Sequence, residues 1–192
     1  MRDYTELVIV IDQSGSMETI RNDIIGGFNA LLDEQKKVGE CKVSIVLFSD
    51  KITRINKRVD INNIERLNER NYVPNGCTAL LDAVGNAISI TKNNIYSLKE
   101  EDKPKNVIFS ILTDGYENAS REYSYKQIKK MIELQKEEGW QFMFQGANID
   151  VMEQADKLGI DKDMAIEFEA NSCDVQRKIS KVSGLMKSII VK

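Results

Sequence analysis

Short, unbroken apolar runs alternate along the chain with segments whose apolar residues recur every three or four positions. The first run, residues 7–11, is rich in β-branched residues, as in a strand buried on both faces. Residues 17–31 then show the spacing of an amphipathic helix. Strands that alternate with helices predict an α/β fold, with a mainly parallel sheet between layers of helices. Right-handed crossovers favour a doubly wound strand order such as 3-2-1-4-5-6.

Six strands are expected, and one of them lies antiparallel at an edge of the sheet. Residues 52–61 mix arginine and lysine with apolar residues, which is typical of a charged edge strand paired in a hairpin with the strand before it. Residues 62–71 are a candidate for a short helix. The other strands are predicted at 43–48, 107–112, 140–144 and 165–168, and the other helices at 80–88, 128–135, 151–158 and 175–189.

The whole chain, residues 1–192, is predicted to form a single domain, because it contains no internal repeat, low-complexity stretch or domain boundary. Hydrophobic residues make up 42% of it and charged residues 30%, which is enough to fill a core. The formal net charge of -3 gives no sign of a nucleic-acid or membrane-surface partner. We therefore expect neither.

The sequence contains no histidine. This excludes a Ser-His-Asp triad, a Cys-His pair and a histidine-ligated zinc or iron site, so any metal must be bound by oxygen or sulfur. Cys41, Cys77 and Cys173 are odd in number and widely spaced, which fits neither a disulfide framework nor a zinc site. The apolar run at 7–11 is too short for a signal peptide or a membrane span. Together these features predict a cytoplasmic protein.

Oxygen-bearing side chains follow two of the predicted strands. In a doubly wound sheet, ligands bind at the carboxyl ends of the strands, where the winding direction switches. The strands at 7–11 and 107–112 flank that switch, and each is followed by an aspartate, Asp12 and Asp114. Ser14 and Ser16 add hydroxyls at alternate positions after Asp12, a spacing that can turn the three side chains toward one point. Carboxylates and hydroxyls suit a hard cation such as Mg²⁺, Mn²⁺ or Ca²⁺.

Three motifs resemble those of a known family. The segment Asp12-Gln-Ser-Gly-Ser16 matches the DxSxS motif of the metal-ion-dependent adhesion site in von Willebrand factor A domains and integrin inserted domains. Gly76-Cys-Thr-Ala-Leu80 resembles the second element, a threonine that opens a helix after a glycine-containing loop, and Leu112-Thr-Asp-Gly115 resembles the third, the TDG aspartate. The motifs follow the family's order, and the predicted strands fit its fold over nearly the whole chain. The chain resembles stand-alone bacterial members of the family.

The resemblance implies a role for five side chains. Ser14 and Ser16 would bind the metal directly, and Asp12 and Asp114 directly or through water. Thr78 would join or leave the coordination shell with the conformational state. Ligands of the family supply a Glu or Asp carboxylate to the open position. The implied function is a non-enzymatic, metal-dependent module that holds a protein partner by its carboxylate.

Each motif also has a plainer interpretation. Asp12 can simply end a strand, and the dipeptide 114–115 is an ordinary turn signal. Ser16 and Thr78 can act as caps of the helices that follow. The glutamate and asparagine at 117–118 either support the metal ligands or solvate a loop. Under these interpretations the chain is a metal-free scaffold.

An enzyme is the main functional alternative. Haloacid-dehalogenase-like, Mg²⁺-dependent phosphotransferases and phosphatases also place an aspartate after a first buried strand. They need a second acid two positions later, where this chain has Ser14, and paired acids that are missing around Asp114. The phosphate-binding GxxxxGK[ST] motif of NTPases is also missing. The sequence therefore favours a protein without enzymatic activity.

Overall fold

The computed structural model describes residues 2–169 and 172–191. Its strands are β1 (Arg2–Asp12), β2 (Cys41–Phe48), β3 (Ile52–Asp60), β4 (Pro104–Thr113), β5 (Gln141–Gly146) and β6 (Ala165–Glu167). Its α-helices are α1 (Arg21–Gln35), α2 (Leu80–Tyr96), α3 (Tyr125–Glu137), α4 (Val151–Leu158) and α5 (Ser172–Ile190). None of these helices, within the residues described, is long and apolar enough to cross a membrane.

All six strands form one sheet in the order β3-β2-β1-β4-β5-β6. β3 pairs antiparallel with β2, and every other neighbouring pair is parallel. β1 runs through the centre, where Val10 is paired with Val46 of β2 on one side and Ile111 of β4 on the other. The predicted doubly wound order and the antiparallel edge strand are both confirmed.

The two faces of the sheet carry separate hydrophobic cores. Ile9 and Ile11 point toward α1 and α5, whereas Val8 and Val10 point toward α2, α3 and α4. This alternation follows from the period of two in a strand, and burial on both faces explains the unbroken apolar run in β1. Each large apolar side chain that is fully buried contributes about 1.5–3 kcal/mol. The sheet is therefore packed on both faces beneath the loops at its carboxyl edge.

The prediction of a short helix at residues 62–71 is wrong. Only Ile61–Asn63 forms a single 3-10 turn there, and the chain then continues without regular structure. The Asn56 carboxamide bonds to both the N–H and the C=O of Glu65, and the Asn29 carboxamide does the same for Leu67. These side chains satisfy backbone groups that a helix would pair internally, so the segment stays open.

The starts of two helices also differ from expectation. The apolar pattern that begins at residue 17 lies first in a 3-10 segment, Gly15–Ile20, and α1 itself begins at Arg21. α5 begins slightly before the predicted 175–189. The side chains of Cys173 and Val175 lie outside the described residues. Cys41 is buried and Cys77 exposed, and both are free thiols.

A buried ion pair lies toward the start of β1, away from its carboxyl end. Glu6 is fully buried, and Nε of Arg58 donates to both of its carboxylate oxygens at 3.1 Å. Another guanidinium nitrogen of Arg58 donates to the Tyr4 hydroxyl at 3.0 Å. Arg58 sits at an irregularity in the β2–β3 pairing and has a φ of 52°, which is unusual for a residue with a side chain. Burial raises the pKa of Glu6 although Arg58 opposes the shift.

Candidate metal centre

The loop that follows β1 is fixed by its neighbours. The buried Tyr72 donates from its hydroxyl to the Asp12 carbonyl at 2.7 Å. The backbone N–H of Gln13 donates to the Phe48 carbonyl at 2.6 Å, and that of Gly15 to the Gly76 carbonyl at 3.1 Å. The backbone on both sides of Ser14 is thereby held in place. The residues at 12, 14 and 16 are therefore presented at the carboxyl edge of the sheet by a backbone that is held in place.

Asp12 and Asp114 are joined by short polar contacts. Asp12 accepts from the Ser14 N–H through Oδ1 and from Oγ1 of Thr113 through Oδ2, both at 2.6 Å. Asp114 Oδ1 accepts from the Ser16 hydroxyl at 2.5 Å, and the hydroxyl oxygens of Ser14 and Ser16 are 3.1 Å apart. The switch point between β1 and β4 therefore brings the two aspartates and two serines into one cluster.

Thr78 completes this cluster around Gly115. A methyl carbon placed on Gly115 would lie 3.2 Å from Thr78 Oγ1, 3.6 Å from Ser16 Oγ and 4.0 Å from Asp12 Oδ2. Three separate loops thus direct oxygens at one small space. Every residue predicted for the metal site lies in this cluster, which we call the oxygen cluster: Asp12, Ser14, Ser16, Thr78 and Asp114.

The oxygen cluster concentrates negative charge. Burial raises the pKa of Asp12 despite hydrogen bonds from Thr113 and Ser14, and the nearby Asp114 raises it further. Burial also raises the pKa of Asp114, against the hydrogen bond from Ser16. Within the described ranges, no lysine or arginine forms an ion pair with either carboxylate. A divalent cation would supply the missing positive charge.

The capping interpretation of the hydroxyls does not fit the geometry. Ser14 precedes the 3-10 segment, and its side chain makes no capping hydrogen bond. The residue that precedes α1 is Ile20, whose apolar side chain cannot accept a hydrogen bond from the helix. Ala79, not Thr78, occupies the corresponding position of α2, again without a side-chain bond. The hydroxyls of Ser16 and Thr78 therefore point into the oxygen cluster rather than satisfying helix ends.

The donor set suits a hard cation. Nowhere in the parts of the chain described here do three or more His, Cys, Asp or Glu side chains converge in a way that could hold a metal. The oxygen cluster instead combines two carboxylates with the hydroxyls of Ser14, Ser16 and Thr78. Such a mixed oxygen set matches Mg²⁺, Mn²⁺ or Ca²⁺ and lacks the nitrogen or sulfur ligands typical of structural zinc.

Two residues that support the cluster were not identified from the sequence. Thr113 orients Asp12 directly, and its position beside Asp114 in the TDG motif was the available signal. Tyr72 binds the Asp12 carbonyl from an irregular segment, where no periodic pattern marks a buried position. Its role emerges only from the tertiary fold.

Several solved structures share the fold. Proximal thread matrix protein 1 from the mussel byssus, with a zinc-occupied MIDAS motif, is 15% identical with a TM-score of 0.68, and the match covers 96% of this chain and 46% of that one. The chain thus spans about half the length of the byssus protein. The vWF domain of the type V pili tip protein Mfa5 from Porphyromonas gingivalis is 10% identical with a TM-score of 0.65, covering 97% and 96%. A von Willebrand factor type A protein from Catenulispora acidiphila is 14% identical with a TM-score of 0.62, covering 93% and 42%.

At these identities the structural likenesses concern the fold alone. No curated protein matches the chain. A family model described as "VWA domain containing CoxE-like protein" matches residues 1–135, a stretch that includes all three motifs of the oxygen cluster. Because this match covers well over half of the chain, the protein belongs to the family of VWA domain containing CoxE-like proteins.

Proposed function

We propose that the protein is a metal-dependent protein-binding module, in which a divalent cation at the oxygen cluster binds an Asp or Glu carboxylate of a partner. The observation that carries this proposal is the convergence of Thr78, Ser16 and Asp12 on the space beside Gly115. The zinc-occupied MIDAS motif in the mussel byssus protein of the same fold supports a divalent ion. The oxygen donors favour Mg²⁺, with Mn²⁺ or Ca²⁺ as alternatives.

Each side chain has a distinct task in this proposal. Asp12 and Asp114 balance the charge of the ion, while the neutral hydroxyls of Ser14, Ser16 and Thr78 add oxygens without further charge. A cation coordinated in this way keeps a position at which it is electrophilic and accepts an oxygen from outside. An exposed carboxylate is suited to this position because it is charged and can displace water.

The cell location and source belong to the same proposal. The free thiols of Cys41 and Cys77 fit a reducing compartment, and we propose a cytoplasmic location. The resemblance to stand-alone family members supports a bacterial protein. The weak net charge of -3 supports a protein partner rather than a nucleic acid or a membrane surface.

Metal binding is tested with Gly115→Ala. Gly115 does not have a positive φ, so alanine is tolerated by the backbone. Its methyl group would lie 3.2 Å from Thr78 Oγ1, within the space on which the oxygens converge. We expect wild type to melt at higher temperature in Mg²⁺ or Mn²⁺ than in EDTA, and the variant to bind Mn²⁺ about 10- to 100-fold more weakly.

The matched control is Gly26→Ala in α1, where a methyl group meets nothing within 4 Å. This variant should keep the full metal response and unfold in EDTA at or slightly above the wild-type temperature, since replacing glycine restricts the unfolded chain. Unfolding of Gly115→Ala in EDTA separates any effect of the 3.2 Å contact on the metal-free fold from its effect on metal binding. The proposed site is wrong if Gly115→Ala and wild type respond alike to both metals.

The protein should show no hydrolytic activity. Haloacid-dehalogenase-like chemistry needs an acid at the position of Ser14, and the described oxygen cluster offers a hydroxyl there, 3.1 Å from the Ser16 hydroxyl. Purified protein with Mg²⁺ should release no phosphate from phosphomonoesters or nucleotides above the rate of a buffer blank. A phosphatase rate that persists through purification and disappears in Asp12→Asn would favour the enzyme instead.

A further inference from the structure

A set of hydrogen bonds joins the loop after β4 to the start of α2. We call it the clasp, and it links residues 117–123 with residues 78–82. Glu117 accepts from the Leu81 N–H at 2.9 Å and from the Ser120 hydroxyl at 2.7 Å. Asp82 accepts from three consecutive backbone N–H groups of residues 121–123 at 2.8–3.0 Å. The clasp therefore supplies the helix-end partners that α2 lacks in its own sequence.

One part of the clasp holds the backbone of Thr78 directly. The Thr78 N–H donates to Oδ1 of Asn118 at 2.9 Å. The Thr78 carbonyl accepts from the N–H of Asn118 at 3.0 Å and from that of Ala119 at 3.2 Å. Both backbone polar groups of this residue are thus bound by the loop that begins with the TDG motif. Thr78 is 3% exposed, whereas Asn118 lies at the surface of the loop.

We propose that Asn118 is a positioning residue, which fixes Thr78 so that its hydroxyl stays directed into the oxygen cluster. The inference rests on the proposed function, because it assigns Asn118 a role only through a metal-binding Thr78. Within the described residues the Thr78 hydroxyl forms no hydrogen bond of its own that would orient it. The position of its backbone decides where this hydroxyl can reach, and the N–H side of that backbone is bound by a single side chain, Asn118.

The geometry allows this role to be separated from folding. Asn118→Ala removes the acceptor of the Thr78 N–H but keeps both backbone bonds to the Thr78 carbonyl. Ala79 remains bound to the Ser49 carbonyl at 3.0 Å, so the start of α2 keeps its other attachments. The conservative variant Asn118→Asp retains an oxygen at the acceptor position and should restore the orientation of Thr78.

The control within the clasp is Ser120→Ala. The Ser120 hydroxyl accepts from the Asp82 N–H at 3.0 Å and donates to Glu117, but the structure gives it no contact with Thr78. Its loss removes hydrogen bonds of the same kind from the same clasp. A general loosening of the clasp would affect metal binding in both variants, whereas positioning of Thr78 affects it only in Asn118→Ala.

The test is a double-mutant cycle read by calorimetric titration with Mn²⁺. Asn118→Ala and Thr78→Ala should each weaken Mn²⁺ binding roughly threefold to tenfold, and the double variant should be no weaker than Thr78→Ala alone, because Asn118 acts through Thr78. Asn118→Asp should bind Mn²⁺ at least as tightly as wild type. Ser120→Ala should lower the melting temperature in EDTA and leave Mn²⁺ affinity unchanged.

The outcomes distinguish the inference from the proposed function. A wild-type protein that binds no Mn²⁺ would overturn the proposed function itself. If wild type binds Mn²⁺ but Asn118→Ala binds it equally well, the positioning role is wrong. Additive losses in the double variant, or an equal loss in Ser120→Ala, would also overturn it, because Asn118 would then act on the site by another route.

Discussion

Asp114→Asn should abolish the stabilisation of the protein by metal and, at the same time, raise the stability of the metal-free form. The Ser16 hydroxyl can still donate to the carboxamide oxygen, so the local hydrogen bond survives. One of two neighbouring buried carboxylates disappears, which relieves their repulsion in the absence of a cation. With metal at one hundred times its dissociation constant, wild type should gain about 2.7 kcal/mol, and the variant should gain almost none.

Urea unfolding in EDTA and in saturating Mn²⁺ measures both effects. The control is Asp163→Asn, which changes the net charge equally at an exposed site far from β1 and β4 in sequence. That variant should show the wild-type difference between the two conditions. A variant at Asp114 that is still stabilised by Mn²⁺ as strongly as wild type would show that this carboxylate does not take part in binding.

Of the variants described here, Arg58→Ala should lose the most free energy of unfolding. Glu6 is fully buried, and Arg58 is the cation whose nitrogen lies 3.1 Å from both carboxylate oxygens. Removing one partner of a buried pair leaves an uncompensated charge, which costs about 3–5 kcal/mol. The neighbouring Arg54→Ala is the matched control, because Arg54 bonds through its guanidinium to the neutral side chain of Asn86. It should cost about 1 kcal/mol.

The loss in Arg58→Ala should depend on pH. Burial already raises the pKa of Glu6 above 4.5, and without Arg58 it should rise further. A carboxyl group whose pKa is higher in the folded state favours folding at low pH, and this contribution is lost as the pH rises through the folded-state pKa. The variant should therefore approach wild-type stability at about pH 4, close to the ordinary pKa of a glutamate. Its free energy of unfolding should then fall progressively below that of wild type as the pH rises toward about 7.

Urea unfolding of both arginine variants at several pH values checks this expectation. The double variant Glu6→Leu, Arg58→Met should recover most of the lost stability, since an apolar pair of similar size removes the need for charge compensation. An Arg58→Ala variant whose deficit is constant across pH would mean that the loss comes from packing or from the β2–β3 irregularity, not from the charge of Glu6.

The fold could be predicted where one pattern determines the structure. The β-branched run at 7–11 indicated a strand buried on both faces, and its place at the centre of the sheet follows from right-handed crossovers. The basic residues of β3 correctly indicated an edge strand. The segment after β3 was mispredicted, because the side chains of Asn56 in β3 and Asn29 in α1 bind its backbone. Such contacts leave no periodic trace in a sequence.

The candidate site was predictable to a similar degree. Asp12 and Asp114 follow adjacent parallel strands, so their proximity is a consequence of topology. The position of Thr78 depends instead on the clasp, whose donors are mainly backbone N–H groups. This position places Thr78 Oγ1 3.2 Å from where a methyl carbon on Gly115 would lie. Any residue other than proline carries such a group, so sequence patterns do not reveal which of them bind a side chain. The same applies to the bond from Tyr72.

The central pairing of β1 with β4 also sets the order of events in folding. Ser16 and Asp114 are 98 positions apart, and no local segment contains both. Bringing the two ends of so long a loop together costs conformational entropy before any contact between them can form. The oxygens of the cluster therefore converge only after the centre of the sheet has assembled. A cation at this site would therefore bind the finished fold, and its effect would be to slow unfolding while leaving the rate of folding nearly unchanged.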